Sequence, residues 1–329
     1  MLKLKKDYVD LLPSHIDNER AIEFVRDTFT NSLFKYKWGL TRTTAPLFIE
    51  SGKCINDDLA NTATPVSFNI CRDIGVEMVH SLAKWKRLKV KELGMCRFQG
   101  IYTNMNAIRK DEILDNLHSV YVDQWDWEMV IKDIDRSVAT LKSAVIDIYY
   151  CIKETENKLC REKFQHIKPF LPDSVKFFTL SELKDKYPNE SQTNIERIVT
   201  KEYGAVFIIG MGKECGRASD YDDWNLNGDL LIWSNIIDAP IEITSMGIRV
   251  DKTALKQQLL ASNEQYKEEF DYHKMILNDE LPLTIGGGIG QSRLCMLLLQ
   301  KAHIGEVQCS VWDKETLEYA KENNIRLLN

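Results

Sequence analysis

Apolar residues recur at helical spacing in residues 17–34, where Ile22, Val25, Phe29 and Leu33 predict one amphipathic helix. The next stretch, 41–49, is rich in Thr and apolar residues but holds Pro46, which predicts an edge or interface strand. Residues 51–61 are polar around Gly52 and read as a loop. A short strand is predicted over 76–80, and a lysine-rich helix over 82–93. Two strands follow, 101–108 and 118–127, joined by the charged turn Arg109-Lys110-Asp111-Glu112. Residues 134–160 carry helical periodicity with few breakers. Strands are predicted at 206–210, 229–237 and 241–250, a long helix at 253–277, and a segment 284–290 that leads into a helix carrying Leu294, Leu297 and Leu298. Helices bracket consecutive strands joined by short turns, which suits an antiparallel sheet in an α+β fold better than alternating βαβ units. No repeat, low-complexity tract or long linker divides the 329 residues, so one domain over 1–329 is expected.

Composition narrows the classes. A net charge of −6 speaks against a nucleic-acid scaffold, whose footprint is usually basic. The eight cysteines form no CxxC and stand near no His pair of zinc-ligand spacing, so they read as reduced thiols of a cytoplasmic protein. The lysines near the start precede no apolar stretch, so a secretory signal is not expected, and the longest apolar runs are too short to span a bilayer.

Six segments could carry chemistry. Gly286-Gly287-Gly288-Ile289-Gly290, followed by Arg293, could bring backbone and a fixed positive charge to a phosphate, although no Gly-Lys-Ser/Thr follows and a tight strand-to-helix turn fits equally well. Arg109 could grip a carboxylate and an α-phosphate through its planar fork, or simply pair with the acids beside it. Asp229 and Glu242 lie on neighbouring predicted strands with apolar flanks; buried carboxylates need compensation, and two of them can hold Mg²⁺ with the phosphates of ATP. Residues 219–224, rich in acids and aromatics and including Asp222, could bind a cation or form a solvated loop. In residues 80–87, Lys86 could hold an anion, although charge runs are usually a solvated helix face. In the predicted strand from His118, Gln124 and Asp126 share one face between Trp125 and Trp127, which suits a binding-site floor or a wet outer face.

Six strings, VHSLAKWKR (79–87), LHSVYVDQWDWE (117–128), DYDDW (220–224), LNGDLLIW (226–233), SMGIRV (245–250) and TIGGGIGQSRL (284–294), resemble in identity and order those of the ammonia-dependent, A-type asparagine synthetases. The resemblance implies a class II aminoacyl-tRNA synthetase-like fold, an antiparallel sheet flanked by helices, in a homodimer with Pro46 near the interface. It implies synthesis of asparagine from aspartate, ATP and ammonia through β-aspartyl-AMP. On that pattern Arg109 bridges substrate carboxylate and α-phosphate, and Asp229 and Glu242 hold Mg²⁺. Ser119, Arg217, Asp222, Gly288, Gly290 and Arg293 join Arg109 at ATP. Lys86, Ser81, Gln124, Asp126 and Ser245 hold aspartate, with Asp126 toward its α-ammonium. Asp57, in preference to Asp58, faces ammonia and takes its proton, since only neutral NH3 is nucleophilic. The chain departs from bacterial members over 53–76 and is shorter near 212–219 and 224–227. The glutamine-dependent enzymes carry a cysteine after the initiator Met; Leu2 stands there in this chain, so ammonia is the expected donor. A tRNA-charging relative and a non-catalytic regulator are the two rival readings. The first would carry an anticodon-binding domain, and the second would have lost the metal acids or the motif arginines.

Overall fold

A computed structural model describes the chain except residues 1–3, 5–7, 13, 58, 60–62, 213–214, 216–218 and 329. The first helix, α1 (His15–Thr30), starts where the Ser14 side chain accepts the Asp17 N–H. It buries Ala21, Ile22, Val25 and Phe29, and then widens into a π-helical turn, Asn31–Lys37, that turns Leu33 and Phe34 inward. Burying a ring such as Phe29 contributes about 1.5–3 kcal/mol, and here it packs 5.1 Å from Trp125.

The predicted strand at 41–49 divides around Pro46 into β1 (Thr41–Arg42) and β2 (Phe48–Glu50). Strand β2 joins β3 (Ser67–Ile70) and β4 (Ile74–Met78) in a small antiparallel sheet. Helix α2 (Ala83–Glu92) leads to a long hairpin, β5 (Gly100–Ile108) and β6 (Tyr121–Val130). After α3 (Val138–Lys158) come β7 (Lys176–Thr179), α4 (Leu180–Lys186), α5 (Gln192–Tyr203) and β8 (Ala205–Ile209). A second long hairpin follows, β9 (Asp222–Ser234) and β10 (Ala239–Arg249). The helix predicted over 253–277 is broken: α6 (Lys252–Ser262) stops at Asn263, whose φ of 60° is left-handed, and α7 (Asp271–Leu277) follows a 3-10 turn. The chain continues as β11 (Thr284–Gly290), α8 (Gln291–Leu298) and α9 (Lys314–Glu322).

Eight strands form one sheet in the order β1-β5-β6-β11-β10-β9-β8-β7. The six central strands pair antiparallel, as expected, while β1 and β7 add parallel partners at the two edges. The larger core lies on one face, where Trp125, Trp127, Leu230, Ile232 and Ile289 meet α1, α3 and α8. On the opposite face, α4 and α5 cover Val206, Ile208 and Leu231 near the β7 edge, and α2 packs on β5, β6 and β11. Between these coverings the sheet face stays open.

Candidate active site

Strand alternation decides what the open face presents. Along β6, Trp125 and Trp127 are buried in the helix-covered core, so Gln124, Asp126 and Glu128 project to the other side. On the adjoining strand β11, the glycines leave room for those side chains. A Cβ at Gly288 would lie 2.3 Å from Gln124 Oε1, and one at Gly286 would lie 2.0 Å from Glu128 Oε2. Gly286 to Gly290 is therefore strand rather than a phosphate-cradling loop, and three of its glycines are explained by neighbours in the sheet.

Simple alternation would send Glu242 and Ser245 to opposite faces. A bulge in β10 corrects the parity: Glu242 pairs with Leu231 and Ser245 with Asp229, and Leu231 and Asp229 are two residues apart on β9. Glu242, Ser245 and Asp229 thus share the open face.

A cavity of about 430 Å³ stands on this face. It is lined by Gln124, Asp126, Ser245, Gly288 and Gly290 from the sheet, and by Ser81 and Lys86 from the start of α2. Glu242 on β10 lines it as well, together with Arg109, Ser119, Arg293, Asp57 and Asp222. Asp229 stands outside that lining, 2% exposed, opposite Ser245. Arg217 lies outside the described residues, as does Asp58.

The basic helix is not a solvated face. Lys84, Lys86 and Arg87 are all buried, each with a designated partner. Lys86 Nζ donates to Asp126 Oδ1 and, at 2.9 Å, to the Gly287 carbonyl. Burial pulls the Lys86 pKa below its ordinary value against the attraction of Asp126. Asp126 Oδ2 has no partner, which leaves a buried carboxylate oxygen for a cationic group. Arg87 donates to the Pro282 and Val250 carbonyls and secures the helix to the chain beneath.

The acidic run 220–223 is buried too. Asp220 receives Lys84 at 2.9 Å and His273 at 3.1 Å, with Lys267 at 3.6 Å. Burial works to raise its pKa, but Lys84, the hydrogen bond to His273 and Lys267 hold it well below the carboxylate range. Tyr221 donates to Asp57 Oδ2 at 2.8 Å. Asp223 pairs with Arg136 at 2.8 Å. Asp222 accepts from Arg249 at 2.5 Å, and burial still raises its pKa.

Arg249 was not singled out from the sequence, although it lies in one of the matching strings. Its guanidinium is 2% exposed and bridges Asp222 to Glu128, which also accepts from Thr284 at 2.6 Å. Burial works to raise the Glu128 pKa, but Arg249 holds it below its ordinary value. Its discoverable signal was an arginine in an otherwise apolar strand facing an acid one strand away. On the far side of the cavity, Arg293 Nη1 lies 3.1 Å from the Glu242 carbonyl oxygen and 3.6 Å from its carboxylate. Arg109 donates to the His80 carbonyl at 3.3 Å and keeps its Nε without a partner.

For a divalent cation, the donor chemistry fits Mg²⁺. Asp229 and Glu242 sit diagonally on adjacent strands of one face, a spacing of about 7–8 Å in such sheets. Two carboxylates plus phosphate and water oxygens is the set Mg²⁺ favours.

A family model described as aspartate-ammonia ligase matches residues 16–324. Aspartate–ammonia ligase of Clostridium perfringens is 47% identical over 336 residues, covering 99% of each chain. The ligase of Ligilactobacillus salivarius is 48% identical over 337 residues with the same coverage. Among solved structures, asparaginyl-tRNA synthetase of Pyrococcus horikoshii complexed with asparaginyl-adenylate superposes with a TM-score of 0.68 at 16% identity, covering 88% of this chain and 68% of that one. The Entamoeba histolytica asparaginyl-tRNA synthetase gives 0.65 at 14%, covering 94% and 74%. This likeness shows the class II synthetase fold.

Proposed function

The chain belongs to the aspartate–ammonia ligase family, and from that premise we propose that its cavity joins aspartate to ammonia at the expense of ATP, through β-aspartyl-AMP. The observation that carries the reading is Asp126. One of its oxygens is held by Lys86 and the other is unpartnered, in a cavity also lined by Arg109 and Arg293. An amino acid's α-ammonium at Asp126 places its carboxylates among Lys86, Gln124, Ser81 and Ser245, with the reacting end toward Arg109.

The chemistry is mainly one of positioning and charge neutralisation, because a carboxylate must attack an anionic phosphate. Arg109 is free to turn its Nε and second amino group to substrate and α-phosphate. The β-carboxylate oxygen bonds to the α-phosphorus and pyrophosphate leaves. Ammonia then attacks the acyl carbon, and AMP departs with the oxygen it gained. Arg293, Ser119 and Gly290 are assigned to the nucleotide, with Asp222 and Arg217 for the same ligand. Asp229 and Glu242 would hold Mg²⁺, which when bound neutralises phosphate charge. Asp57 takes the proton from ammonium on the far side of the acyl group.

We assign residues 1–329 to one catalytic domain, acting in the cytoplasm as a homodimer. The small sheet supports the dimer: Leu47, Phe48, Phe68 and Ile74 are exposed on it, beside Pro46. No described helix is long and apolar enough to cross a membrane. The test of the chemistry is aspartate-dependent exchange of labelled pyrophosphate into ATP without ammonium. Exchange abolished in Arg109→Ala supports the adenylate route; absence of exchange with asparagine still produced contradicts it.

A further inference from the structure

Asp57 lies in the loop between β2 and β3, and a loop carboxylate acts at a fixed point only if something holds its backbone. Asn56 does so with its whole carboxamide. Its Oδ1 accepts from the Asp57 N–H at 3.1 Å and from the His80 N–H at 2.8 Å, while its Nδ2 donates to the Met78 carbonyl at 2.9 Å. The buried His80 ring answers from the other side, 3.1 Å from the Asp57 carbonyl. A carbonyl only accepts, so His80 Nδ1 carries the proton. The His80 carbonyl in turn accepts from Arg109. Meanwhile the Asp57 carboxylate is fixed by the Tyr221 hydroxyl at Oδ2 and by the Leu59 N–H, at 2.9 Å, on Oδ1.

We propose that Asn56 is a positioning residue for the ammonia step, tying Asp57 to the end of β4. This rests on the reading of Asp57 as the ammonia-side carboxylate. Asn56 itself does not line the cavity, so its effect passes through Asp57. Misplacement of a reacting group by about 1 Å can cost roughly 100-fold, and the loss falls on the half-reaction that uses Asp57.

The test separates the two half-reactions in Asn56→Ala. Pyrophosphate exchange with aspartate and MgATP reports activation; the KM for ammonium in asparagine formation reports the second step. The expected result is exchange within about threefold of the parent with at least a tenfold rise in the ammonium KM. Asn56→Asp keeps the oxygen acceptor but loses the donor to Met78 and sets a charged oxygen against that carbonyl, so it too should raise the ammonium KM; it carries the test if the alanine variant does not fold. An unchanged ammonium KM in both variants, or equal losses in both half-reactions, overturns the proposal. Asp57→Asn run alongside separates the two levels. Normal ammonium use there removes the Asp57 reading itself, whereas impairment there with normal Asn56 variants removes only the positioning role.

Discussion

Adding one methyl group at Gly288 separates function from folding. Its Cβ would stand 2.3 Å from Gln124 Oε1 and 3.4 Å from Asp126 Oδ2. The first contact is the far end of a flexible side chain on the cavity wall, so Gln124 can swing away. Gly288 has no positive φ, and alanine recovers about 0.5–1 kcal/mol that glycine forfeits in a strand. The melting transition of Gly288→Ala should therefore stay within about 1 kcal/mol of the parent. The displaced carboxamide, however, loses a hydrogen bond to a charged substrate, worth about 1.5–3 kcal/mol. At about 1.4 kcal/mol per factor of ten, kcat/KM for aspartate falls roughly ten- to 150-fold. Gly286→Ala is the contrasting case, because its Cβ would meet Glu128 and Arg249 at 2.0 and 2.7 Å, inside a buried ion network. It should lose stability first. Steady-state kinetics with aspartate varied, beside thermal denaturation, distinguishes them. A Gly288→Ala protein that melts much lower with normal aspartate kinetics refutes the reasoning.

Three further outcomes follow from charged and titratable side chains. Arg249→Ala leaves Glu128 and Asp222 facing each other without their cation and should cost about 3–5 kcal/mol in urea unfolding; a change below 1 kcal/mol would show that the network relaxes. His303 is fully buried, accepts the Gly305 N–H at Nδ1, and is pushed by burial down to about 4 from 6.5. A depressed folded pKa means its contribution is complete above pH 6.5 and is lost as pH falls toward 4, about 3 kcal/mol in all. His303→Gln should flatten that part of the stability profile, and an unchanged slope between pH 6.5 and 4 counts against it. Glu242→Gln should raise the Mg²⁺ concentration for half-maximal activity about tenfold, about 1.4 kcal/mol of lost binding; an unaltered Mg²⁺ dependence removes Glu242 from the metal site.

The sequence carried the central sheet because its strands are long and alternate cleanly. Gln124 and Asp126 between two tryptophans needed only the period-two rule to share a face. Long-range pairing was harder to see. Lys84 finds Asp220 across 136 residues, so a lysine-rich helix that looked solvated is instead the roof of the site. The glycine run suggested a phosphate cradle or a strand-to-helix turn because composition shows missing side chains but not the neighbours that fill their space. Glu242 and Ser245, three residues apart, share a face only through a one-residue bulge, which no simple alternation reveals. The segment carrying β7, α4 and α5 was not foreseen, since its elements are short: β7 and α4 span four and seven residues. The break at Asn263 depends on one residue taking a left-handed backbone within a pattern that otherwise stays helical.

On this reading one cavity makes an acyl-adenylate from aspartate and resolves it with ammonia. The most direct measurement is the yield of AMP and asparagine from aspartate, MgATP and ¹⁵N-ammonium, with Arg109→Ala alongside. AMP and ¹⁵N-asparagine are expected in equal amounts, with both lost in the variant. ADP in place of AMP, or AMP without labelled asparagine, contradicts it.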